Sequence, residues 1–206
     1  MAAKDESSPY HHGNLRVGLI EAALARLSGQ TAETLSLREL AKTVGVSIAA
    51  VYRHFPNKDA LLAEVATDGF NKLVLRWERE LPAADDVGAE ARFQRLGEIY
   101  VEFALASPAH YRLMFVQGDL RCFPDLQAAA ERCFAYVLRA ATATVKEAGV
   151  SEKWALATAG AAWSIVHGYI MLSLGGLMAR NHIGPELTPD LLPRFLQLPA
   201  EAFTDQ

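Results

Sequence analysis

Apolar residues recur every three or four positions along most of the chain, and few stretches alternate as a half-buried strand would. That period belongs to a helix, so the sequence predicts an all-α protein. Leu19, Ile20, Ala23, Leu24 and Leu27 share one side of a first helix over 15–27. Residues 35–59, LSLRELAKTVGVSIAAVYRHFPNKD, crowd the stop and start signals of three helices into one short stretch. Ser36, with Glu39 three residues on, has the spacing of a capping box, and Leu35 and Leu40 stand where a hydrophobic staple would place them. Gly45 ends this helix, since glycine tolerates the left-handed conformation. Ser47 caps a second helix, on which Val51 and Phe55 face inward one turn apart. Pro56 stops it, because the residue before a proline is pushed out of the helical region. Asn57 then caps a third.

The remaining pattern predicts a larger helical body. A long helix over 58–80 carries Leu61, Leu62, Val65, Phe70, Leu73, Val74 and Trp77. A loop over 82–88 leads to a helix over 89–106, with Phe93, Leu96, Tyr100 and Phe103 inward. Pro108 opens a short helix over 108–116, where proline in the first turn is favourable. A loop over 118–124 precedes a helix from Asp125 to Gly149. Ser151 caps the most apolar segment, 151–180, and after a loop over 181–189 a last short helix runs over 191–203. Between Trp154 and Ala179 there is no charged residue. Unbroken, that stretch would be roughly 39 Å long, enough to cross a bilayer. His167 in its middle, its many small residues and the lack of a basic flank instead suit a core helix with a second apolar side for a partner helix. No membrane is expected. Ala157, Gly160, Ala161, Ser164 and Gly168 permit close helix approach.

Two helices joined by a short Gly-containing turn make a helix-turn-helix. Its second helix begins with small residues, as a major-groove reader does. Ser36, Leu37 and Arg38 on the first helix, Ser47, Ile48, Ala49, Ala50, Tyr52, Arg53 and His54 on the second, and Lys58 beyond it are the candidate DNA contacts. Ala49 and Arg53 lie opposite the Val51/Phe55 side. Arg53 suits a guanine or a phosphate, and Tyr52 and Lys58 suit phosphates, which fix register without reading sequence. On geometry alone, the same stretch also fits an ordinary helical hairpin with a solvated face.

Charge changes this picture little. The chain carries a net −4, while residues 1–60 hold seven basic against six acidic side chains, a mildly basic head on an acidic body. Cys122 and Cys133 have no metal or redox spacing and suit a reduced cytoplasm. The N-terminal MAAKDESSPY is polar and reads as a frayed arm rather than a signal peptide. His11 and His12 are adjacent and lack the spacing of a helical metal pair. Glu98 and Glu102, one turn apart, read as a solvated face, with a cation site as the sharper alternative. No nucleophile–base cluster or Gly-rich phosphate loop stands out, so catalysis, a metal and a cofactor are all unexpected.

The run VSIAAVYRHFPNKDALL, preceded by SLRELAKTVGV and by YHHGNLRVGLIEAALARL, resembles the signature of the tetracycline-repressor (TetR) family over residues 10–70. It departs from many members at 48–50, where Ile-Ala-Ala replaces a Lys or Thr, which shifts base readout toward Ser36, Arg38, Ser47, Arg53, methyl contacts and DNA shape. The resemblance implies a helix-turn-helix domain over 11–70 and a ligand-binding and dimerisation domain over 71–206. Trp163, His167 and Gly168 resemble the Trp-His-Gly signature of one subgroup. By the same resemblance, a cavity in the C-terminal bundle takes a small-molecule effector, with Trp77, Tyr100, Phe103, Tyr111, Phe115, Phe134, Trp163 and His167 as candidate lining. The resemblance further implies a homodimer through the last two major helices that binds double-stranded, near-palindromic operator DNA as a cytoplasmic regulator, a repressor in the first instance. The alternative is a helical partner-binding protein whose DNA-binding head has degenerated.

Overall fold

The computed structural model describes residues 15–83, 86–116 and 122–181. Among these the regular structure is helical: α1 (Leu15–Leu27), α2 (Leu37–Val44), α3 (Ile48–His54), α4 (Lys58–Glu80), α5 (Ala89–Ala106), α6 (Pro108–Val116), α7 (Pro124–Glu147), α8 (Ala155–Leu174) and α9 (Leu177–Arg180). A 3₁₀ turn at Glu152–Trp154 leads into α8. The chain divides into two compact units, Met1–Val65 and Ala66–Gln206, and the division falls inside α4. The expected N-terminal arm and the helix over 191–203 lie outside the described residues.

In the first unit the punctuation acts largely as the sequence predicts. Gly45 sits at φ 75°, and behind it the Gly45 and Val46 N–H groups donate to the Lys42 and Ala41 carbonyls at 3.2 and 2.9 Å. This is the pattern of a left-handed helix stop. The Ser47 hydroxyl accepts from the Ala50 N–H at 3.2 Å, and Asn57 Oδ1 accepts from the Ala60 N–H at 2.8 Å. Ser47→Ala should therefore cost the head about 1 kcal/mol, read as a shift in its denaturation midpoint.

The capping box does not form. Ser36 has an extended N-cap backbone but makes no capping bond. The Glu39 carboxylate instead meets Arg26 at 2.7 Å, and Arg26 also donates to Thr43 Oγ1 at 3.1 Å. A guanidinium offers a charge-assisted bond that a neutral backbone N–H does not match. Leu35 and Leu40 are both buried, as the staple requires. Leu19, Leu40, Val51, Phe55, Leu61 and Val65 form the centre of this unit.

In the second unit α5, α7 and α8 pack against one another. The start of α5 is capped from afar: the Glu147 carboxylate at the end of α7 accepts the Ala89 N–H. A Cβ at Gly88 would meet that carboxylate at 2.9 Å, so a side chain there would displace the capping glutamate. Trp77 of α4 donates its indole N–H to the Leu96 carbonyl of α5 at 3.0 Å.

The apolar segment over 151–180 is not one helix. Ser151 makes no capping bond, and α8 ends at Leu174, where Gly176 turns left-handed at φ 70°. The Gly175 and Gly176 N–H groups there close on the Met171 and Ser173 carbonyls, both at 3.0 Å. By length and composition, residues Glu152–Leu174 still qualify as long and apolar enough to cross a membrane. Here Ala155, Ala159, Val166 and Ile170 are buried within the bundle.

Candidate nucleic-acid interface and ligand cavity

The helix α3 has two unlike sides. Ala50, Val51 and the following Phe55 are buried, while Ala49, Tyr52, Arg53 and His54 are exposed. Tyr52 is 51% exposed. The division follows from helical spacing, because the inward residues recur at one turn and leave 49 and 53 opposite. Ser47 and Arg38 are exposed as well, and Ser36 and Ile48 are half-buried. Among the described residues Arg38, Arg53 and His54 have no ion pair. The nearby acid Glu39 is neutralised by Arg26. The surface thus presents uncompensated basic groups and small side chains, which is what a polyanion with a groove requires.

Three candidate contacts sit differently from expectation. The Leu37 and Ala50 side chains are buried: each falls on the inner face of its own short helix, so neither side chain is presented. The Lys58 ammonium donates to the Ala32 and Glu33 carbonyls at 3.1 and 2.8 Å. It ties the loop before α2 to the start of α4, leaving one of its three donors for a phosphate.

The body unit holds a partly open cavity of about 130 Å³. Its wall is aromatic at Phe70, Trp77, Phe93, Tyr100, Phe115, Phe134 and Trp163, and aliphatic or small at Leu96, Gly97, Met114, Val137, Ala162 and Val166. Among the described residues no charged side chain lines it. Five of the candidate lining residues therefore meet there: Trp77, Tyr100, Phe115, Phe134 and Trp163. Phe103 does not, and its ring lies 6.2 Å from that of His110. Sequence periodicity puts Phe70, Phe93 and Leu96 inside the bundle, but it carries no signal that separates a cavity wall from solid core. Cys133, set aside for lack of redox spacing, is also part of the wall.

His167 and Tyr111 stand behind this wall. The Tyr100 hydroxyl is 3.0 Å from His167 Nε2, and the Tyr111 hydroxyl is 2.8 Å from Nδ1. Phe115 meets the imidazole edge-on, with ring centroids 4.5 Å apart. Burial pushes His167 down to about 4, so the ring is neutral at pH 7. Burial likewise pushes Tyr111 up to about 12 and Tyr100 well above the ordinary phenol range. The Cys133 thiol rises to about 12, again through burial, and stays protonated.

Elsewhere in this unit several charges are paired. His110 Nε2 donates to Asp68 Oδ2 at 2.8 Å, and Lys72 reaches the same oxygen at 2.7 Å. Burial alone would raise Asp68, but the bonds from His110 and Lys72 outweigh it and hold the carboxyl below its usual value. The Glu98/Glu102 pair is taken by Arg95, at 3.0 and 2.9 Å, with Arg76 also on Glu102. Among the described residues no His, Cys, Asp and Glu cluster is placed to hold a metal.

Comparison with known proteins gives the same two halves. Residues 19–65 match the bacterial regulatory proteins of the tetR family. Residues 93–190 match the tetracyclin repressor-like C-terminal domain. A Rhodococcus sp. RHA1 protein of unknown function is 31% identical over 92% of this chain and 97% of that one, with a TM-score of 0.74. The TetR family transcriptional regulator PfmR from Thermus thermophilus shares the fold at 22% identity and a TM-score of 0.60, over 74% of this chain and 84% of that one. The nucleoid occlusion factor SlmA of Marinobacter nauticus is 30% identical over 93 residues, 45% of this chain. That match spans about half of the relative's length, 47%. With the helix-turn-helix matched in its first unit and the family's helical domain in its second, the chain belongs to the TetR family of DNA-binding transcriptional regulators, which are not enzymes.

Proposed function

We propose that the protein is a repressor that binds a near-palindromic operator as a homodimer and releases it when a small-molecule effector occupies the body cavity. The observation that carries this reading is the outward side of α3, where Arg53 and His54 are exposed beside Ala49 and without an ion pair. A dimer sets two such helices in successive major grooves, roughly 34 Å apart. The outer side of α8 supports the dimer: Leu156, Met171 and Leu172 are exposed large apolar residues. They share that helix with exposed Ala157, Ala161, Ser164 and Gly168, which let a second helix come close. Trp163, His167 and Gly168 fit the Trp-His-Gly subgroup of the family. Helix α4 begins just after the recognition helix and carries Phe70 and Trp77 of the cavity wall. An effector that prefers one placement of α4 shifts the population toward a dimer whose two heads no longer match the grooves. Such a regulator works inside the cell, in the cytoplasm.

The test is fluorescence anisotropy on DNA from upstream of the protein's own gene, against scrambled DNA, over a salt series. Operator binding predicts two chains per duplex, a clear preference for the upstream DNA and a steep loss of affinity with salt. Weak and equal binding to both, at all salt concentrations, counts against the repressor. In the same assay Arg53→Ala should weaken binding by about 1–3 kcal/mol through loss of a guanine contact. Its exposed position leaves folding unchanged. Full affinity and full discrimination in the variant would remove Arg53 from the interface.

A further inference from the structure

We propose that the body cavity takes an uncharged, single-ring aromatic compound bearing one hydroxyl or carbonyl group, with the Tyr100 hydroxyl as its polar anchor. This rests on the effector reading above and adds the chemistry of the ligand.

Size sets the first limit. The cavity holds about 130 Å³, and an apolar cavity of about 150 Å³ accommodates benzene. One ring fills that space, and because the cavity is partly open to the surface a small substituent can reach beyond it. Wall composition sets the second. Phe115, Phe134 and Trp163 offer ring faces and edges, and Trp163 and Phe134 already sit with centroids 5.1 Å apart. An aromatic guest extends that cluster with the edge-to-face geometry such rings prefer.

Charge sets the third limit. Among the described residues the wall offers no ionised partner. Cys133 keeps its proton, and His167 behind the wall is neutral at pH 7. An ionised ligand would give up its hydration without a counter-charge, a penalty far larger than ring contact returns.

The polar anchor follows from hydrogen-bond counting. The Trp77 N–H in the wall is already committed to the Leu96 carbonyl, and the Trp163 N–H, also in the wall, can donate but cannot accept. Tyr100 is different. A neutral imidazole has one N–H and one lone pair, and His167 spends them on two phenols. One phenol therefore gives its proton to the ring, and the other receives the ring's proton. When Tyr100 receives, its own O–H is left to donate to a ligand carbonyl. When Tyr100 gives, its oxygen is left to accept from a ligand hydroxyl. A change of tautomer at His167 switches between the two without creating charge. Tyr111 takes the complementary role from outside the wall.

Calorimetric titration of the full chain with phenol, toluene, benzoate and benzylammonium tests this, with operator anisotropy measured on the same samples. Phenol is expected to bind with a Kd on the order of 10 µM to 1 mM, as its few atoms allow. Benzoate and benzylammonium should be at least about 100-fold weaker. Tyr100→Phe should weaken phenol about five-fold, the size of one hydrogen bond, and leave toluene unchanged. Unchanged toluene binding also reports an intact cavity. Ala162→Leu, which adds bulk to the wall, should abolish both. No phenol binding, or benzoate binding as tightly as phenol, overturns the ligand class. Undiminished phenol binding to Tyr100→Phe overturns the anchor. If phenol fails to bind while salt-sensitive operator binding is intact, the ligand class falls and the regulator reading stands. If phenol binds but leaves the operator bound, the ligand chemistry stands and its role as effector falls.

Discussion

Trp77→Ala should lower the stability of the body unit by about 3–5 kcal/mol, the range for deleting a buried large aromatic side chain. Trp77 is 1% exposed and among the largest fully buried side chains. Its ring packs against Tyr100 and Tyr136, with centroids 6.3 and 5.8 Å away. Its N–H bond to Leu96 ties α4 to α5. The cost is set by relaxation: a site that collapses recovers contacts, and one that stays open does not. Trp77 already borders a cavity, so its removal enlarges an existing void rather than one that neighbours can close. Urea denaturation followed by far-ultraviolet circular dichroism measures the loss. Trp77→Phe keeps most of the ring and loses the N–H bond, so it should fall between wild type and alanine. A loss below about 1 kcal/mol in Trp77→Ala would mean that the walls close around the gap.

The second large effect is a loss of stability in mild acid. His167 is held near 4 by burial, against 6.5 in an exposed chain. Below pH 6.5 the unfolded chain takes up a proton that the native ring refuses, so the proton favours unfolding. The loss begins as pH falls through 6.5 and ends near 4, where the native ring is protonated too. At 1.36 kcal/mol per unit it amounts to at most about 3 kcal/mol. The groups that face the ring do not titrate in this window, since Tyr100 and Tyr111 are both pushed upward. Carboxylates such as Asp68 also respond to acid, but they do so equally in a His167→Gln variant. The difference between the two unfolding curves, pH against free energy, isolates His167. Parallel curves from pH 6.5 to 4 would show that the ring is protonated in the folded protein.

Helix boundaries were legible at Gly45, Ser47 and Asn57, but not at Ser151, which makes no capping bond. Gly45, Ser47 and Asn57 perform the roles their side chains suggest, because each acts on backbone within a few residues. Nothing in the structure explains why the Ser36 hydroxyl makes no bond. The Glu39 half of the capping box failed because its carboxylate had a stronger option in Arg26, thirteen positions away and on another helix. Glu147 capping α5 was invisible for the same reason: the two are brought together by the fold and not by sequence spacing. The break at Gly175–Gly176 was readable in principle, as adjacent glycines before Leu177, but the uninterrupted apolar run masked it. His167 was legible as a polar residue in the middle of an apolar helix. That its partners would be two phenols was not, since Tyr100 and Tyr111 sit on different helices from it and from each other. Periodicity reports which side of a helix is inward, and whether the inward side meets a neighbour or a void depends on the sizes of residues far away.

With α3 in the DNA-contacting role proposed above, its two-sided construction bears on how this protein's targets change over generations. The residues that hold the helix in place, Ala50, Val51 and Phe55, are not the residues that face outward. Substitutions at exposed positions outside special features typically cost within about 0.5 kcal/mol, so 49, 53 and 54 are open to mutation without endangering folding. Duplicate copies of such a gene can diverge in binding preference one amino acid at a time, each intermediate still folded and still testable by selection. The inner positions are closed to that route, because a change there requires a compensating change elsewhere before the chain is viable.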